Sequence, residues 1–234
     1  RPEESARICP GVFADALQGH PRFSHRCIWR NFPWLWGERW SFRVLVLVGE
    51  EVHDVQRRPQ ANHCLIYGAD AELSLYARNP QTLINEAVAR GGMAYFAHPV
   101  EYPSRIGIEN EEYGWKDWQL KGHTGIELWN YMSEFKARAW SWPAALLYAF
   151  FPSLAIRGPF GATLKLWDEQ LASGKRVAAI GNSDAHGVTF HLGPIARVLF
   201  PYDYLFRCVN THLLIDLREQ IAIDDVDAPV AIGI

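Results

Sequence analysis

NPQTLINEAVARGGMAYFAHP, residues 79–99, holds the pattern that decides the fold. Asn79 is a good N-cap residue, and Pro80 suits the first helical position, where its missing N–H costs nothing. Leu83, Ile84, Ala87 and Val88 then fall on one helical face, and Gly91-Gly92 ends the helix. The apolar run 93–97 reads as a buried strand that Pro99 closes, with His98 at its end. A capped helix, a glycine stop and a buried strand together make the repeating unit of an α/β protein.

The same signature extends in both directions. Buried strands are expected at 42–48 (FRVLVLV), 63–67 (HCLIY), 125–129 (GIELW) and 176–180 (RVAAI). A helix is expected at 163–173, with Leu164, Trp167 and Leu171 on one face. Further on, 202–210 reads as helical and 211–217 as strand, while the polar and aromatic segment 100–123 reads as a long loop. Strands that alternate with helices and are apolar on both faces predict a parallel sheet covered on both sides. Residues 1–41 differ: they hold four of the ten tryptophans and no lysine, and show no sustained period. They read as an irregular N-terminal segment before a single domain over 42–234.

Composition narrows the function classes. A chain of 234 residues suits one domain with a large core, and 49% apolar with 21% charged residues is globular. The net charge of -3 gives no basic face, so no nucleic-acid partner is expected. Cys9, Cys27, Cys64 and Cys208 are scattered, with no CxxC pair, which favours a reducing, cytoplasmic setting over a disulfide framework. No basic stretch followed by an apolar one opens the chain, so no leader is expected. Residues 139–156 carry no charge, but Pro143 and Pro152 interrupt them. They read as an apolar helix or lid packed on the domain, not as a membrane span.

The polar residues fall in a telling place. Glu50-Glu51 follow the strand at 42–48, His98 follows 93–97, and Asp184 and His186 follow 176–180. In parallel α/β folds the C-terminal strand ends share a mouth where sites are built, and carboxylates with imidazoles there suit divalent metals. His63 breaks the pattern, because it stands at the start of its strand. Asp184 and His186 are alternate residues, which an extended segment would point the same way. Alone, each residue has a bland reading: a histidine beside a strand is more often structural, and a Glu pair is more often a solvated turn. His53 reads as a surface-loop residue and Glu127 as a structural acid or a partner to a ligand.

In that order GEEVHD (49–54), NHCLIYG (62–68), GGMAYFAHP (91–99) and GNSDAHG (181–187) resemble the PHP (polymerase and histidinol phosphatase) superfamily, over about residues 42–200. GIELWN (125–130), WDE (167–169) and SDAHG (183–187) are loosely similar to its carbaryl-hydrolase-like branch. The resemblance implies a distorted (β/α)7 TIM-like barrel with up to three divalent ions (zinc, manganese or iron). It implies Glu51 bridging two metals, His63 and His98 completing the second position, Asp184 on the first and His186 on the third. Of these, Glu51, His98 and Asp184 would be the catalytic residues. The family's N-terminal HxH is not found; His20 and His25, five apart, are the upstream histidines. The barrel is therefore expected to be incomplete at its N-terminus, with an abrupt C-terminal end and fewer than three metals.

The expected function is metal-dependent hydrolysis of a small molecule by metal-activated water, first as a phosphoesterase. Glu101, Glu109, Glu111 and Glu112 against Arg105 disfavour a phosphate dianion, and the neighbouring aromatics suit an amide, carbamate or ester, the alternative substrate class. An incomplete, catalytically inactive domain is the third reading. Substrate, metal identity and oligomeric state are left open.

Overall fold

A computed structural model of the chain describes residues 6–7, 28–31, 43–46, 49–106, 112–192 and 195–212. Its centre is a sheet built from β1 (Ala6–Arg7), β4 (Gly49–Val52), β5 (Cys64–Tyr67), β6 (Met93–Phe96), β7 (Gly125–Asn130) and β8 (Ala178–Asn182), in that spatial order. β2 (Ile28–Asn31) and β3 (Arg43–Val46) pair as a separate antiparallel ribbon, as do β9 (Val188–Leu192) and β10 (Ile195–Leu199). The helices are α1 (Pro80–Ala89), α2 (Tyr131–Arg138), α3 (Trp142–Phe150), α4 (Gly161–Ala172) and the single turn α5 (Tyr202–Leu205).

This architecture corrects the expected (β/α)7 TIM-like barrel. Among the described residues the sheet is open and mixed, with β1 and β8 at its two ends. β5 runs antiparallel to both its neighbours, β4 and β6, as β1 does to β4, and only the pairs β6–β7 and β7–β8 are parallel. The reason lies in the connections. Residues 53–63 join β4 to β5 without a helix, so the chain turns back. Between β5 and β6 the chain leaves along 68–79, and α1 brings it back to the edge it left. A Cβ on Gly92 would lie 2.8 Å from the Ala69 backbone, so departure and return touch. Helix alternating with strand fixes neither property, because an excursion and a crossover look alike in sequence.

Local signals otherwise fare well. Asn79 caps α1 by accepting from the Thr82 N–H at 3.0 Å. Leu83, Ile84 and Ala87 of α1 pack with Val52, Cys64, Ile66, Ala94, Phe96 and Ile126 of the sheet, and Leu166 and Trp167 of α4 join the same face. Leu65, Tyr95 and Ala97 form a smaller cluster on the opposite face, beside Tyr67 and Ile180. The apolar run at 42–48 divides: β3 belongs to the ribbon, and Glu50 and Glu51 lie inside a new strand instead of after one. The hairpin of β9 and β10 was not anticipated. The strand expected at 211–217 lies almost wholly outside the described residues, as do His20 and His25.

The apolar stretch 139–156 becomes the nine-residue α3 and a 3-10 turn at Pro152–Leu154, with Pro143 in the first turn, where it is tolerated. Tyr148 meets Phe135 of α2, while Trp142, Leu146 and Phe150 face solvent. No helix among the described residues is long and apolar enough to cross a membrane.

Gly125 begins β7 between two parallel neighbours, and a Cβ there would strike the Ala178 carbonyl and lie 2.6 Å from the Tyr95 ring. Gly125→Ala is expected to cost about 1–3 kcal/mol of stability, the usual penalty of overpacking, in urea denaturation. A wild-type midpoint would show that β7 does not sit so close to its neighbours.

Candidate metal centre

Antiparallel pairing answers the anomaly of His63. Val52 faces Cys64, Cys64 faces Phe96, and Phe96 lies beside Ile126. The start of β5 therefore lies beside the ends of β4 and β6, and β7, whose Ile126 pairs with Phe96, continues past that edge. Side chains alternate along strands, so Glu51, Leu65, Tyr95 and Glu127 share a face, with His63 at its rim. Glu51, His63 and His98 meet there.

Their contacts are direct. His63 Nδ1 lies 2.7 Å from Glu51 Oε1, and His98 Nε2 lies 3.4 Å from the same oxygen. One potential ligand atom from each of the three residues lies within 4.8 Å of the other two. Both imidazoles are buried, while the Glu51 side chain keeps 25% of its exposure, which leaves a solvent side to the group. Burial alone would raise the Glu51 carboxyl, but hydrogen bonds and charge from His63 and His98 hold it well below the usual range. Burial would lower His98, but the Glu51 carboxylate outweighs it and raises the imidazole to about 10. His63 Nε2 and His98 Nδ1 are buried without a hydrogen-bond partner.

The backbone is unusual at the same edge. Asn62, His98 and Asp184 have φ of 63°, 29° and 48°, a left-handed region that residues other than glycine rarely occupy. Strained φ values cluster at functional sites because the surrounding fold must hold them. Asn62 is held by its amide: Oδ1 accepts from the Lys116 N–H at 2.8 Å and Nδ2 donates to Asp117 at 2.6 Å. That clamp sets the direction in which His63 leaves the loop.

Asp184 and His186 depart from expectation. The left-handed Asp184 prevents the extended geometry that would align both side chains. His186 Nδ1 instead turns back to the Asp184 carbonyl at 2.7 Å and to its carboxylate at 3.1 Å. The Asp184 hydrogen bond raises His186 to about 9. Among the described residues these two do not join Glu51, His63 and His98 in one ligand group.

Three features were misread or missed. His53, expected on a surface loop, is buried and stacks on His63 with centroids 4.1 Å apart. Asn130 was not singled out, although an Asn before the helical run at 131 is a legible N-cap signal. Its Oδ1 accepts from the Ser133 N–H at 2.8 Å while its Nδ2 reaches Glu127 and, at 3.3 Å, Asp184. Lys136 is buried and sits 3.0 Å from Glu101, over the Tyr113 ring at 4.8 Å. Tyr113 in turn lies 5.6 Å from the His63 ring. Glu101, read from sequence as a rim charge, is thus a buried and paired one.

No protein-family model, curated protein or solved structure matches this chain.

Glu127 gives the site a measurable pH signature. Burial raises its carboxyl to about 8, against a lowering by His98 and a further raising by Asp184. Between the ordinary value of 4.5 and about 8 the folded chain holds the extra proton, so the stability it contributes is present below that window and lost as pH rises through it. His98 has the same sign between 6.5 and about 10. In chelator-treated protein the denaturation midpoint is therefore expected to fall as pH rises, and Glu127→Gln is expected to flatten the lower part of that fall. An unchanged profile in the variant would contradict the assignment.

Proposed function

We propose that this chain is a metal-dependent hydrolase in which Glu51, His63 and His98 hold one divalent ion, with a phosphoester as substrate class. The observation that carries the reading is the convergence of two buried imidazoles and one carboxylate on a point with a solvent side. Three protein ligands with room for water is the usual form of a catalytic metal site. The nitrogens nearest the carboxylate are His63 Nδ1 and His98 Nε2, so those would face the ion. The motif resemblance to the PHP superfamily supports the same three residues. It does so without its barrel, because the ligand group needs only the shared strand edge. Imidazole and carboxylate suit zinc, manganese or iron.

A divalent ion there supplies a coordinated water of lowered pKa and a Lewis acid for the scissile oxygen. The residues around it divide the remaining work. Glu51 would compensate the cation, and His63 and His98 would complete its protein shell. Against a phosphate dianion stood the acidic loop 100–113. That objection weakens, because Glu101 is neutralised by Lys136 and Glu112 pairs with Lys116 at 3.7 Å. Carbamate or amide hydrolysis on the same ion is the second reading, favoured by the Trp129 and Phe160 rings in the pocket beside His98, a pocket that also carries polar Asn130, Ser133 and Thr163.

Calorimetric titration of chelator-treated protein with zinc and with manganese tests the ion. Roughly one tight equivalent is expected, and Glu51→Ala or His98→Ala should lose it, because each removes one of three ligands. No binding by the wild-type chain would leave the inactive-domain reading in place. Turnover of a nitrophenyl phosphate by the loaded protein supports the phosphoesterase, whereas turnover of an aryl carbamate alone replaces it with the second reading.

A further inference from the structure

Glu127 is 1% exposed, and its carboxyl oxygens accept from N–H groups. Oε2 accepts from the His98 backbone N–H at 2.5 Å, and both oxygens accept from Asn130 Nδ2 at 3.0 and 3.1 Å. The same Nδ2 reaches Asp184 Oδ2 at 3.3 Å. Asn130 cannot swing away, because its Oδ1 caps α2. On the neighbouring strand Asn182, which faces Asn130 in the sheet, accepts from the Asp184 N–H at 3.1 Å through its side chain.

Both residues reached by this link, His98 and Asp184, have left-handed φ values. A non-glycine residue in such a region costs about 1–3 kcal/mol and persists only where neighbours hold it. For His98 the visible hold is the Glu127 carboxylate on its backbone, and for Asp184 it is Asn130 on its side chain together with Asn182. A buried carboxyl group, even protonated, carries a desolvation cost that an apolar residue would not. Its service to two strained loops gives that cost a purpose.

We propose that Glu127 and Asn130 form a positioning link that holds His98 and Asp184 in register, so that the Glu51–His63–His98 group and the Asp184–His186 loop work as one site. The proposal rests on the metal reading above for its consequence, though not for its geometry. Neither residue is a ligand. Partners that orient metal ligands typically change affinity by roughly 10–100-fold when lost.

Asn130→Ser is the discriminating variant, because serine retains the helix cap but lacks the amide N–H groups. Glu127→Ala is the stronger companion, and the serine variant remains informative where the alanine variant fails to fold. Two readouts are taken on the full chain: zinc affinity by calorimetry, and amide hydrogen exchange of the metal-free protein. The expected result for Asn130→Ser is zinc binding weaker by roughly tenfold or more. Exchange is expected to rise together in the segments containing His98 and Asp184, with the β4–β5 ladder unchanged. Wild-type affinity with wild-type exchange in both segments overturns the link, as does a rise spread evenly over the chain. If the wild-type chain takes no zinc, the metal reading fails and exchange alone decides: a joint rise at the two loops sustains the link, and an unchanged pattern overturns it.

Discussion

Val52 stands opposite Cys64, and Cys64 opposite Phe96, across two successive antiparallel ladders. A slip of one residue in either ladder would turn Glu51 or His63 to the other face of the sheet. Burial on that other face resists the slip, since Val52, Cys64, Ile66, Ala94 and Phe96 are locked against α1 and α4. The candidate site thus inherits its precision from apolar packing behind it. Glu51 is placed because Val52 must be buried, and His63 because Cys64 must be.

The buried acids around this edge are compensated in three ways. Glu51 meets two imidazoles, and Glu101 meets Lys136. Glu127 meets amide N–H groups, and burial with Asp184 nearby raises its carboxyl despite the His98 charge. Removing a partner from a buried charge or a buried hydrogen-bonding group costs more than the pair contributes, so each arrangement ties a loop to the sheet. Glu101 ties the loop after β6 to α2: it accepts from the Tyr113 N–H at 2.7 Å while bound to Lys136. Glu127 ties His98 toward Asp184.

What the sequence made legible was local. The Asn79 cap, the Gly91-Gly92 stop and the strand at 93–97 carry their signals within a few residues, and the structure reproduces them with ends shifted by one or two positions. The gathering of Glu51, His63 and His98 was legible through ordered motifs. Strand direction was not, because the same helix serves a crossover or a return, and the distinction lies in where Gly92 meets Ala69. The pairing of Lys136 with Glu101 was hidden by 35 residues of separation and by α2, whose sequence gives no sign of which face meets the loop. His53 read as a loop residue because stacking on His63 depends on a backbone path that no short motif encodes.

The most direct test of the account is the X-ray absorption spectrum of the chain loaded with about one equivalent of zinc. The account predicts a shell of two imidazole nitrogens and one carboxylate oxygen at about 2.0–2.2 Å, with one imidazole lost in His63→Ala and one in His98→Ala. A shell without imidazole, or one that both variants leave intact, would contradict it.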